Sequence, residues 1–486
     1  MNKISCFLPY AGKEQVEKTV NSLQATGLIE EIRLITTDAT LESLPDCEIL
    51  FVDMPYSSAT LKAIANAAKG EYTLLYTKET TLEMGMFALE RMIHILEDSS
   101  AGMVYADHYQ IADGKQSNAP VIDYQFGSLR DDFNFGSLLL FNTEKLKEAA
   151  GHMKSDYNFA GLYDLRLKLS QHSNLVHINE YLYSEVENDT RKSGEKIFDY
   201  VDPKNRDRQI EMEQACTEHL KEIGGYLAPE FKKIEFSAGN FEYEASVIIP
   251  VRNRIRTIRD AIKSVLMQKT DFKYNLIIID NHSTDGTTEA IDEFKDDERL
   301  IHIVPERNDL GIGGCWNVGV HHPKCGKFAV QLDSDDVYKD ENTLAIMVRA
   351  FYEQNCAMVV GTYMMTDFNM NMIAPGIIDH KEWTPANGRN NALRINGLGA
   401  PRAFYTPVLR EVKVPNTSYG EDYALGLNFS RQYEIGRVYD VVYLCRRWDD
   451  NSDASLDIVK MNGHNLYKDR IRTWELQARI AMIKNK

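Results

Sequence analysis

Two stretches of this chain run through the same series of apolar segments, and that repetition limits the fold more than any other feature. SCFLPY, from Ser5, and SVIIPV, from Ser246, each read as a short buried strand beside a proline. Beyond Ala245, the strand-like runs ASVIIPV, NLIIID, LIHIV, KFAVQLD and AMVVGT alternate with helical patterns. Those helices are RTIRDAIKSVLMQ, TTEAIDEF, GIGGCWNVGVHH and ENTLAIMVRAFYEQ. In the first of them Ile258, Ile262, Val265 and Leu266 share one face. Alternating strands and helices predict an α/β fold with a mostly parallel, Rossmann-like sheet.

The first half answers segment by segment. EEIRLITTDAT matches YNLIIIDNHSTDGT, SSATLKAIANAAKGEYTLLYTKET matches IGGCWNVGVHHPKCGKFAVQLDSDD, and NFAGLYDLRLKL matches TSYGEDYALGLNF. Order and spacing repeat more than identity does. Two tandem domains are therefore expected: residues 1–200, a helical linker over 201–240 on the polar run VDPKNRDRQIEMEQACTEHLKEIGG, and 241–486 with a C-terminal helical extension. The polar chemistry does not repeat. Where the second half has Asp333, Ser334 and Asp335, the first offers Tyr76, Thr77 and Lys78, and a lysine brings the wrong charge for a metal ligand. The first half reads as a degenerate, non-catalytic copy.

Charge narrows the function. The chain carries a formal net charge of −17, which argues against a broad nucleic-acid surface. Seven scattered cysteines without a CxxC suit reduced thiols and a cytoplasmic setting. No run of about 18 apolar residues is present, so no transmembrane segment is expected, while a peripheral membrane contact stays open.

Within the second half, acids gather at predicted strand ends, where ligands bind in open α/β sheets. QLDSDD closes the strand FAV with Asp333, Asp335 and Asp336, like charges that repel unless something positive lies among them. They read either as a divalent-metal site or as a cap cluster. Asp280 ends another strand, as a hydrogen-bond acceptor for a base or as a turn residue before Ser283. Gly311, Gly313 and Gly314 open a helix, which favours an anion or simply makes a turn. Glu421 and Asp422 precede the helix YALGLNF.

Taken together, IIPVRN, IIIDNHSTDGT, NDLGIGGCWNVGV, VQLDSDD and YGEDYAL resemble the inverting family 2 glycosyltransferases of the GT-A fold, in order and rough spacing over Ser246–Leu425. The resemblance implies two GT-A-like domains, the second catalytic. It implies a nucleotide-sugar donor, a UDP-sugar above all, and a glycan or lipid-linked acceptor in polysaccharide biosynthesis. It implies Mn2+ or Mg2+ on Asp335 and Asp333. It implies Asp422, beside Glu421, as general base, and nucleotide contacts from Pro250, Arg252, Asp280, Gly311, Asn317, Asp333 and Arg447. Three positions depart from the family: Asn281 follows Asp280, Trp316 precedes Asn317, and Trp448 stands where a histidine commonly completes the metal site. Asp449, Asp450 or water would then take that place. Two other readings remain: a nucleotidyltransferase, disfavoured because PVRNRIRT lacks glycine, and an inactive pseudo-glycosyltransferase that binds nucleotide or glycan.

Overall fold

The structure is a computed structural model that describes residues 3–42, 44–186, 205–237, 239–448 and 456–485. It divides into two compact units. The first lies within Met1–Lys192, Pro203–Tyr226 and Leu456–Lys486; the second lies within Leu227–Ser455.

In the first unit the strands are β1 (Ile4–Pro9), β2 (Ile29–Thr36), β3 (Glu48–Phe51), β4 (Tyr72–Tyr76), β5 (Leu82–Met84), β6 (Met103–Ala112), β7 (Lys115–Ala119), β8 (Leu138–Asn142) and β9 (Leu175–Val186). They form one sheet in the order β3-β2-β1-β4-β8-β6-β9-β5, with β7 paired to β6. The second unit has β10 (Ala245–Val251), β11 (Tyr274–Asp280), β12 (Leu300–Ile303), β13 (Phe328–Gln331), β14 (Val337–Tyr338), β15 (Met358–Thr366), β16 (Met372–Ile378), β17 (Arg402–Tyr405) and β18 (Ile435–Arg446). Their order is β12-β11-β10-β13-β17-β15-β18-β14, with β16 on β15. Every strand corresponds to the one nine places earlier. The duplication predicted from order and spacing is thus present in the topology.

Each sheet is parallel on one side and mixed on the other. β10 to β13 pair parallel, whereas β17 runs antiparallel to both β13 and β15. Continuous apolar runs suit the doubly covered centre: β11 is buried along its whole length. The helix Ile258–Leu266 (here α7) buries Ile258, Ala261, Ile262 and Val265 on one face. Each large side chain there contributes about 1.5–3 kcal/mol of burial. β14 and β17, of two and four residues, are too short to show a period of two.

Strand register fixes the correspondence between the units. Phe141 of β8 faces Met103 and Thr73, as Phe404 of β17 faces Met358 and Ala329. Thr77 therefore stands level with Asp333, one residue on from the alignment read off the sequence.

Two helices depart from the predicted domain plan. The segment read as a linker forms α6 (Arg206–Glu222), which packs in the first unit and buries Met212, Ala215, Cys216 and Leu220. Its Glu222 pairs with Lys168 at 2.5 Å. The segment read as an extension of the second domain forms α14 (Ile458–Lys484), which also belongs to the first unit. Fully buried Asp469 on α14 accepts from Ser128 Oγ at 2.9 Å and from Arg472 at 2.8 Å, and lies 3.4 Å from Arg130. A buried carboxylate with three such partners fixes the helix in that unit.

Candidate active site

β13 ends at Gln331, and the chain then turns through Asp333, Ser334, Asp335 and Asp336 into β14. The hydroxyl of Tyr443, on β18, accepts the backbone N–H of Asp333 at 3.1 Å, and Gln331 donates to Asp333 Oδ1 at 2.8 Å. Burial is the largest influence on the Asp333 carboxyl and raises its pKa; Asp335 and Asp422 push the same way, while Arg402 and Gln331 oppose. Asp336 is not a helix cap. Its Oδ1 accepts the backbone N–H of Arg446 at 2.7 Å, which ties the acidic turn to β18.

Glu421 and Asp422 open the helix Glu421–Gln432 (α13), and Asp422 Oδ2 lies 2.9 Å from Arg402 on β17. The fold thus gathers Asp333, Asp335, Glu421 and Asp422 at one end of the sheet, although up to 89 positions separate them in the chain. Arg402 is the positive centre of this group. Burial acts to lower its pKa, but Asp422, Asp333 and Glu421 together raise it. Sequence reading passed over Arg402, because a half-buried arginine at the start of a short strand leaves no pattern. Glu421 behaves differently from its neighbour. Burial, then repulsion from Asp422, pushes its carboxyl up to about 8, and its Oε2 has no hydrogen-bond partner.

A second rim borders Asp335. Arg254 has its Nε 3.8 Å from Asp335 Oδ2. Trp448 donates from Nε1 to the same oxygen at 3.4 Å. Arg256 stacks on the Trp448 ring at 4.9 Å, and Phe368 meets that ring edge-on at 5.4 Å. Arg446 reaches from β18 to the Asp335 carbonyl at 2.5 Å and to Asp260 at 2.8 Å. Arg447 is half-buried next to it, its N–H bonded to the Thr366 carbonyl at 2.8 Å. Asp449 and Asp450 lie outside the described residues.

Three residues offered as nucleotide contacts are turned inward. Asp280 is fully buried, accepting from Ser283 N–H at 3.0 Å and Thr288 Oγ1 at 2.5 Å, with His302 at 3.6 Å. Burial alone would raise its pKa; those partners hold it well below the ordinary carboxylate range. Asn317 clamps the backbone of Val414, donating at 2.7 Å and accepting at 2.9 Å. Gly311 heads the helix Ile312–His321 (α9), but its N–H goes to Asn416 Oδ1 at 2.8 Å, and those of Ile312 and Gly313 go to Ser418 and Thr417. A Cβ on Gly313 would lie 1.8 Å from the Pro415 carbonyl oxygen. These glycines admit the 415–418 loop, and that loop caps the helix in place of an anion. Trp316 packs edge-on against Phe404 at 6.0 Å. Pro250 sits at the end of β10, and Arg252 is exposed in the loop that follows.

The donor set fits a divalent cation. Asp333 and Asp335, two residues apart, supply hard carboxylate oxygens, and Asp335 is among the influences that raise the Asp333 pKa after burial. Among the described residues, no group of three His, Cys, Asp or Glu side chains is placed to hold a metal. Two protein carboxylates are what Mg2+ commonly takes when phosphate oxygens complete its shell. Among the described residues no helix is long and apolar enough to cross a membrane.

Residues 246–403 match the family model described as Glycosyl transferase family 2. An uncharacterized glycosyltransferase of Rickettsia felis is 37% identical over 198 residues, covering 40% of this chain and 31% of that protein. The GalNAc(5)-diNAcBac-PP-undecaprenol beta-1,3-glucosyltransferase of Campylobacter jejuni is 36% identical over 93 residues, covering 19% of this chain and 29% of that protein. The chain thus spans less than a third of the length of these curated relatives. The crystal structure of S. aureus TarS residues 1–349 with UDP-GlcNAc is similar at 19% identity and a TM-score of 0.37, covering 49% of this chain and 72% of that one.

Proposed function

We propose that the second unit, which belongs to glycosyl transferase family 2, moves a sugar from a nucleoside-diphosphate donor to a hydroxyl of a glycan acceptor, with inversion. A UDP-sugar is the donor we favour, and a lipid-linked or surface-glycan precursor is the acceptor class. The observation that carries this reading is the convergence of Asp333, Glu421 and Asp422 around Arg402, with Asp335 acting on Asp333.

Asp422 is the general base. The acceptor oxygen attacks the anomeric carbon, its proton passes to Asp422, and the anomeric C–O bond breaks with its electron pair leaving on the diphosphate. One displacement inverts the configuration. Arg402 orients Asp422 from 2.9 Å. Mn2+ or Mg2+ held by Asp335 and Asp333 would supply positive charge to the departing diphosphate. Arg252, Arg254 and Arg447 are the arginines we assign to phosphate oxygens. Asp280, Asn317 and the Gly311 turn shape the nucleotide side without touching the ligand.

Thermal unfolding with UDP, GDP, CDP and dTDP, each with and without Mn2+, tests this. One nucleotide should stabilise the wild type when Mn2+ is present. At a ligand concentration of about 100 Kd the gain is about 2.7 kcal/mol, and Asp335→Ala should abolish it. No shift with any nucleotide would refute the donor reading and leave an inactive binding module.

A further inference from the structure

The first unit keeps a cavity where the second has its charged site. It encloses about 320 Å³ and is lined by Tyr56, Thr77, Phe133, Phe135, Phe159 and Arg208, among others. Register identifies the place. Thr77 stands at the level of Asp333. Leu162, also in the lining, is the second residue of its helix, Gly161–His172 (α5), as Asp422 is of α13. The cavity is therefore the counterpart of the acid cluster.

Its chemistry has been exchanged. Leu139 replaces Arg402, Leu162 replaces Asp422 and Gly161 replaces Glu421. Lys78, next to Thr77, is bound to Glu185 at 2.5 Å. No paired carboxylates remain to hold a metal for a diphosphate. Aromatic faces stand there instead. Phe133 and Phe135 pack with centroids 4.5 Å apart, and Phe159 is 40% exposed. The walls are fixed from behind: Tyr56 donates to the Thr77 carbonyl at 2.6 Å, and Glu211 of α6 accepts the Phe159 N–H at 2.6 Å. Asp131, Asn158 and Arg208 add polar groups to this lining.

We propose that the first unit binds a saccharide ring in this cavity and does not transfer it. A pyranose presents C–H faces that pack on aromatic rings and edge hydroxyls that need a few polar partners, which is the composition found here. The volume lies at the small end of ligand pockets. It suits one or two sugar residues and not a whole nucleotide-sugar. The choice of a sugar over other ring-shaped ligands rests on the transferase reading of the second unit; the cavity and its loss of charge do not.

Saturation-transfer NMR on the whole chain tests it, with the methyl β-glycosides of glucose, galactose and N-acetylglucosamine as probes and uridine as the comparison. At least one glycoside should give a signal at millimolar concentration, equally in wild type and Asp335→Ala. Phe159→Ala should weaken it about fivefold, the worth of one aromatic contact, and Arg208→Ala should weaken it less. Both side chains are exposed, so the fold survives. Absence of a signal for every glycoside, an equal signal in both variants, or a uridine signal that falls with Phe159→Ala as the glycoside signal does would each overturn the proposal. The nucleotide-dependent thermal shift reports on the second unit separately, so failure there and failure here are distinguishable.

Discussion

The two sheets share one strand order and one register, yet only one carries an acid cluster. In the second unit Asp333, Glu421 and Asp422 act on Arg402, and burial together with the nearby Asp335 and Asp422 raises the Asp333 pKa. In the first unit the equivalent corner is lined by aromatic rings with Asp131, Asn158 and Arg208, and one of that unit's buried carboxylates lies elsewhere: Glu185, on β9, stands level with Cys445 of β18. Glu185 is bound by Lys78 at 2.5 Å, lies 3.3 Å from His108 and accepts from Ser137. The fold thus does not need the acids. They raise local electrostatic cost, and an internal ammonium has settled the corresponding region of the copy that lost them.

Removing the base should break the comparison most. Asp422→Asn should lower turnover about a thousandfold, within the usual range for a general base, while donor KM and melting temperature change little. Leu162→Ala at the equivalent place should leave turnover unaltered. Steady-state kinetics on both variants decides it, and equal losses would mean that the units do not differ in the way described.

Next in size is the internal cation. Lys78→Met should destabilise the first unit by about 3 kcal/mol, because a buried carboxylate loses its lysine partner. The double variant Lys78→Met, Glu185→Gln should recover most of that. Chemical denaturation followed by unit-resolved hydrogen exchange checks both. A silent Lys78→Met would show that His108 and Ser137 suffice.

Much of this was legible in the sequence, for reasons that particular residues show. Buried strands such as ASVIIPV declare themselves by composition, and Asp333, Asp335, Glu421 and Asp422 stand out because acids at the ends of apolar runs are costly. What failed was partner assignment. Asn317 and Gly311 looked like ligand contacts, yet their partners, Val414 and Asn416, lie 97 and 105 residues away. Asp280 looked available to a base, but His302 and Thr288 had already claimed it. Arg402 and the place of α14 in the first unit were missed because they depend on tertiary packing, which no local period encodes.

The pH response separates the units further. His219 of α6 is buried, and burial, then Arg166 and Lys168, lowers its pKa to about 3. It stays neutral and is bonded to Gln171 at 3.0 Å. Since the folded pKa lies below the unfolded one, the unfolded chain takes the proton first. Stability is full above about pH 6.5 and falls as pH drops toward 3. At pH 5 the first unit should have lost about 2 kcal/mol. Unit-resolved exchange at pH 7.5 and pH 5 measures this, and His219→Gln should flatten the difference. An unchanged slope in that variant would assign the acid sensitivity to other groups.

The smallest effect concerns Arg252. Strand register places Ala11 of the first unit level with Arg252, since Pro9 and Pro250 occupy equivalent positions against Ile35 and Ile279. The copy without acids therefore already carries the alanine. Arg252 is exposed and supports no described contact of the fold, so Arg252→Ala should leave the melting temperature unchanged. If it meets the diphosphate, the donor KM should rise about fivefold, the value of one exposed charge pair, with kcat nearly constant. If KM also stays constant, the positive charge facing the donor comes from Arg254 or Arg447. Arg254→Ala should then give the larger rise, because its guanidinium already lies against Asp335.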